Sequence, residues 1–168
     1  IWSYPQLRDG EMPDDVQKAL VIGDLKMLAR ITDEDKTAED IISAVVAQVY
    51  ENIVSQNGPG RPLYEPTLSH FAAQLRTFPF DAEMVRERRE TLVLALNNYI
   101  GHTWLDAPTH PDYENRSPFD VFELGSLKDF PRDIKLSLAY RIAAHVARCA
   151  ACSPASPAAS ARRRPGRR

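Results

Sequence analysis

The side chains with metal-ligating, nucleophilic or acid–base potential are few in this 168-residue chain, and their spacing decides how far each can be taken. Cys149-Ala-Ala-Cys152 has the spacing of half a tetrahedral zinc site, and His145 lies one helical turn before it. No second ligand pair accompanies these residues, so ordinary free thiols at a helix end are the favoured reading, and no metal site is expected. Two acids imitate the magnesium-binding carboxylate that closes an apolar strand in phosphoryl-transfer enzymes: Asp24 in Leu20-Val-Ile-Gly-Asp24, and Glu123 in Phe119-Asp-Val-Phe-Glu-Leu124. Asp24 falls within a helical pattern and reads as an exposed helix carboxylate. Glu123 is the one candidate site residue, on a weak signal, since alternation along a strand also suits a solvent-facing or loop-anchoring acid. No glycine is followed by Lys-Ser or Lys-Thr, so a phosphate-cradling loop is missing. His70, His102 and His110 have no partner at a ligating spacing, and no nucleophile elbow occurs. The residues present therefore give no catalytic constellation and no cofactor-binding set.

The elements that would carry these residues are mostly helical. Asp14 and Asp15 are suited to cap a helix whose apolar stripe, Val16, Leu20, Leu25 and Leu28, ends near Ile31, although Gly23 is a poor residue for its middle. Thr37-Ala-Glu-Asp40 has the form of a capping box. It precedes the clearest helix, in which Ile41, Ile42, Val45, Val46, Val49, Tyr50 and Ile53 recur at helical period. Asn57-Gly-Pro-Gly-Arg-Pro62 breaks it. Leu68, Phe71, Ala72 and Leu75 mark the buried face of a third helix, and Asp81 is placed to cap a fourth with Met84, Val85, Leu92, Leu96, Tyr99 and Ile100 inward. Gly101 stops it, and a long loop from His102 to Pro118 follows. Phe119, Val121, Phe122 and Leu124 then predict one short strand, and Pro131 opens a last helix with Ile134, Leu138, Ile142 and Val146 at steps of four. Strand, turn and helix make half of a βαβ unit.

Bulk properties bound the class. Hydrophobic residues at 43% and charged residues at 26% are ordinary for a globular protein. No apolar run approaches the roughly 20 residues of a membrane-spanning helix. From Ala150 to Arg168 only Ala, Ser, Pro, Arg, Cys and Gly occur, a composition that cannot bury a core and predicts disorder. The GC-rich codons of these six types suggest an out-of-frame extension. Five arginines in this tail, with no acid, leave −7 on the remainder of a chain whose net charge is −2. Such an acidic body has no broad footprint for nucleic acid, and only the Arg tail offers a nonspecific contact to nucleic acid or anionic lipid. The chain starts at Ile1 with neither an initiator Met nor signal-peptide character, so we expect it to begin mid-protein.

The run Phe119-Asp-Val-Phe-Glu-Leu-Gly-Ser-Leu-Lys-Asp-Phe-Pro131 and the helix Ile134-Lys-Leu-Ser-Leu-Ala-Tyr-Arg-Ile142 resemble the TraC/TraG-like P-loop ATPases of conjugative type IV secretion. The helix ending in Val49-Tyr-Glu51, followed by Glu65-Pro-Thr-Leu-Ser69, resembles that family's helical insertion. The resemblance covers about residues 14 to 148 and rests on apolar patterns rather than invariant chemistry. It implies a mostly α fold with one short strand: residues 1–118 as the helical insertion region of a RecA-like α/β motor domain, and 119–149 as a strand–turn–helix of its core. Residues 150–168 would be the disordered tail. The whole protein would use ATP and Mg, assemble as a homo-oligomer with other secretion components, and work in the cytoplasm at the bacterial inner membrane in pilus assembly or export. The resemblance puts the phosphate-binding loop before Ile1 and the magnesium-binding strand after the last helix, so this chain is expected to be inactive as an ATPase by itself. The alternative is a free-standing helical protein-interaction module.

Overall fold

The computed structural model describes Tyr4 and residues 12–56, 65–79, 82–102, 105–108, 125 and 128–152. Among them the architecture is helical: α1 (Asp15–Leu28), α2 (Lys36–Gln56), α3 (Leu68–Thr77), α4 (Glu83–Asn97) and α5 (Arg132–Cys152). The strand predicted over 119–124 and the Asp81 cap lie outside the described residues. Helix α5 reaches Cys152, slightly beyond the point where the low-complexity segment begins.

Helix starts follow local polar chemistry. The Asp14 carboxylate accepts from the Gln17 amide at 2.7 Å and the Gln17 side chain accepts from the Asp14 amide at 3.0 Å, a reciprocal capping box. For α2 the cap sits earlier than Thr37-Asp40 predicts. Asp35 Oδ1 accepts from the Ala38 amide at 3.0 Å, so a carboxylate that suits the positive end of the helix dipole takes the role of the hydroxyl. Before α3, the Thr67 amide donates to His70 Nδ1 at 3.0 Å, which gives His70 a structural use. At α4 the cap position is held by Ala82, with no side-chain hydrogen bond.

Helix α2 is the centre of the packing, lying against α1, α3 and α4, whereas the helix that α5 packs against is α1. All seven apolar positions predicted on α2 are buried, as are Leu68, Phe71, Ala72 and Leu75 of α3. Tyr50 and Phe71 meet edge to face at 6.2 Å between centroids. Three expected inward residues point out instead: Val16 is 70% exposed, Met84 69% and Val146 52%. On α5 the reason is the drift of a four-residue repeat around a 3.6-residue helix. Among its described side chains the buried ones are Asp133, Ile134, Ser137, Leu138 and Arg141, and Val146 has rotated off that face. On α1 the buried line runs through Val21, Asp24, Leu25 and Leu28. Gly23 lies in the middle of α1 because α5 crosses there: a Cβ at this position would stand 2.5 Å from the Tyr140 hydroxyl oxygen.

Candidate functional site

Asp24, expected as an exposed helix carboxylate, is only 1% exposed and is the hub of the most buried polar cluster described. Its position three residues after Val21 and one before Leu25 puts it on the inward face of α1. Arg141, three residues after Leu138 on α5, meets it from the other side, with Nη2 and Nε donating to Asp24 Oδ2 at 2.8 and 3.0 Å. The Ser137 hydroxyl, one turn before Arg141, donates to Asp24 Oδ1 at 2.5 Å. Tyr4 completes the group: its hydroxyl donates to Asp24 Oδ2 at 2.9 Å and accepts from Arg141 Nη2 at 2.8 Å. Its ring also lies 4.6 Å from the guanidinium carbon and packs edge to face on Phe71 at 4.9 Å. The Leu105 carbonyl accepts from Arg141 Nη1 at 3.1 Å, which anchors part of the segment predicted as a loop.

The electrostatics follow from burial. Desolvation lifts the Tyr4 phenol well above its ordinary range, so its proton stays on oxygen and is available to Asp24. Burial works against the charge on Arg141, but the Tyr4 hydroxyl and the Asp24 carboxylate outweigh it and the guanidinium is held more firmly protonated. Every polar atom of the Asp24 and Arg141 side chains finds a partner, since buried side-chain atoms without one are confined to Arg88 Nε and Asp133 Oδ1 among the described residues. A carboxylate fully occupied by protein donors and closed to solvent has no face to offer a substrate or metal. Its chemistry is fastening.

A second cluster joins the same two helices. Arg30, in the left-handed conformation at φ 55° after α1, donates to Asp133 Oδ2 at 2.9 Å. The Tyr99 hydroxyl donates to the same oxygen. Burial, with help from Asp133, raises the Tyr99 phenol to about 12. The third, Asp106, holds the start of α3 to the end of α4 by accepting from the Ser69 amide at 2.7 Å, the Ser69 hydroxyl at 2.5 Å and the Gly101 amide at 2.8 Å.

A concavity of about 280 Å³ lies at the surface of α3 and α4, lined by Arg76, Arg89, Glu90, Val93 and Leu94. Its guanidiniums are used locally: Arg76 donates to Asn97 Oδ1, and Arg89 to the Phe78 carbonyl at 3.3 Å.

Of the sequence candidates, Glu123 lies outside the described residues, as do the side chains of His145, Cys149 and Cys152. Among the described residues no three His, Cys, Asp or Glu side chains gather as a metal site, and no helix is long and apolar enough to cross a membrane. Sequence reasoning missed Tyr4, Ser137 and Arg141. The available signal was an acid inside the apolar stripe of α1 and a base inside that of α5, since a charge on a buried face needs a partner. Compared with known proteins, the chain finds no matching family model, no matching curated protein and no matching solved structure.

Proposed function

We propose that this chain is a structural part of a conjugative-transfer ATPase of type IV secretion, in which a helical unit is tied to a helix of the motor core and the nucleotide chemistry is done elsewhere in the protein. The observation that carries the reading is the join between Asp24 and Arg141, two residues 117 positions apart. It fastens α1, in the stretch that resembles the helical insertion, to α5, in the stretch that resembles the motor core. A buried, charge-assisted contact in which two guanidinium donors share one carboxylate oxygen is suited to pass displacement of one element to the other. ATP and Mg would then be bound by the whole protein and not by this chain.

The test is interference. Accumulated in donor cells whose transfer motor carries the Phe119–Ile142 sequence run, the chain should enter motor assemblies and lower conjugation frequency, and it should show no heat of Mg·ATP binding in calorimetry. Undiminished transfer at chain levels above those of the motor subunit, or tight magnesium-dependent nucleotide binding, would defeat the proposal. The second reading, a free-standing helical interaction module, is favoured by Met84 and Leu94, both more than two-thirds exposed on α4, the latter lining the Arg76 and Arg89 concavity. A monodisperse chain that leaves conjugation untouched would favour that module.

A further inference from the structure

Along α4 the residues Arg86, Arg89, Glu90, Val93, Leu94 and Asn97 recur at alternating steps of three and one, so they form one strip of the helix. Four of them, Arg89, Glu90, Val93 and Leu94, line the surface concavity together with Arg76 of α3. The charges there are unequal. Arg76 is oriented by Asn97 Oδ1 and Arg89 by the Phe78 carbonyl, neutral acceptors that hold a guanidinium without cancelling its charge. The carboxylate in the lining is Glu90, which lies 3.8 Å from Arg89 Nη2 with a side chain 65% exposed, whereas that of Arg89 is 20% exposed. Glu90 can therefore turn to water while Arg89 stays in place. What remains is a pair of oriented cations beside apolar Val93 and the exposed Leu94, on a body that is otherwise acidic.

Such a face is complementary to a ligand that is anionic at one end and apolar at the other. A nucleic-acid strand would run its phosphates over the acidic body and leave Val93 and Leu94 uncovered. An uncharged apolar segment would leave both guanidiniums unanswered. We propose that this face of α3 and α4 binds a segment of a partner protein that carries an Asp or Glu and a large apolar side chain about one helical turn apart. The carboxylate accepts from Arg76 and Arg89, since a guanidinium has more N–H donors than their present contacts engage. The apolar side chain covers Val93 and Leu94. Arg89 and Val93 stand one turn apart on α4, about 5–6 Å between Cβ atoms, which is the spacing of positions i and i+4 of a helix. The occupant is thus an amphipathic helix laid across the α3–α4 face. Glu90 opposes its carboxylate and limits the affinity. The site is a property of these side chains, whether the chain works within a motor or by itself.

Fluorescence anisotropy on the full chain tests the site with labelled peptides of about 20 residues, long enough to hold a helix on an Ala and Gln background. The set carries Glu or Asp at i and Leu or Phe at i+4, in both orders, and matched controls replace the acid by Lys or the apolar residue by Ser. At least one acid-and-apolar peptide should bind, with its controls about tenfold weaker and its affinity falling as salt is raised. Arg76→Gln and Leu94→Ser, both at exposed positions, should each weaken that peptide about tenfold. Glu90→Gln should tighten it about threefold by removing the opposing carboxylate, a gain that damage to the fold would not produce. No saturable binding by any peptide up to about 1 mM would overturn the proposal, as would binding that all three substitutions leave unchanged. So would a single-stranded oligonucleotide that binds more tightly than the peptides and is lost in Arg76→Gln, because the face would then be a phosphate site.

Discussion

Replacing Gly23 by alanine sets two effects of known size against each other, and Tyr140 decides the sign. In the interior of an exposed helix, Gly→Ala is worth about 0.8–1.0 kcal/mol in helix propensity. Here the new methyl would stand 2.5 Å from the Tyr140 oxygen and 3.0 Å from its Cζ. Overpacking of this kind costs about 1–3 kcal/mol. The obstacle is the tip of a half-buried side chain with freedom to swing, which places the cost near the lower end, about 1 kcal/mol. Gly23→Ala should therefore leave stability nearly unchanged in the native background. In a Tyr140→Ala background the obstacle is gone and the same substitution should stabilise by about 1 kcal/mol. Urea unfolding followed by helical ellipticity on the four chains of this double-mutant cycle gives the coupling directly. An equal gain in both backgrounds would refute the reasoning, because it would mean that α5 does not lie over Gly23.

Two further outcomes follow from the clusters. Arg141→Met should cost about 3–5 kcal/mol by leaving Asp24 buried without its cation, whereas the combined replacement Tyr4→Phe, Asp24→Leu, Ser137→Ala and Arg141→Met should recover most of that loss; a combined variant no more stable than the single one by denaturation midpoint would contradict this. Desolvation pushes the Asp106 carboxyl up, but the Gly101 amide and the Ser69 and Thr67 donors outweigh it and hold it below the ordinary carboxylate range. A depressed native value means the stabilisation is present above the unfolded value of about 3.9 and is lost as pH falls through the native one. Between pH 6 and pH 3 the Asp106→Asn variant should thus lose less stability than the wild type, and an identical pH slope would show that Asp106 does not contribute.

The sequence by itself determined the helices and much of the core. Ile41 to Ile53 announce a buried face because apolar spacing at helical period has one physical solution, and Asp14 announces a start because free amides need acceptors. These are local rules, and they hold wherever the helix goes. The same rules misplace Val16, Met84 and Val146, since each helix is covered only where a neighbour lies and periodicity does not say how wide that cover is.

Only the tertiary structure decided what the charges do. Asp24 and Arg141 each sit inside an apolar stripe, but nothing within either helix tells that they face each other across 117 residues, or that Tyr4 closes the contact from the chain's start. Gly23 shows the division most plainly. As a helix residue it is a defect of about 1 kcal/mol, and it makes sense only because Tyr140 of another helix occupies the space a side chain would take. Propensity is a property of the chain near a residue, whereas burial and pairing are properties of the surface that arrives from elsewhere.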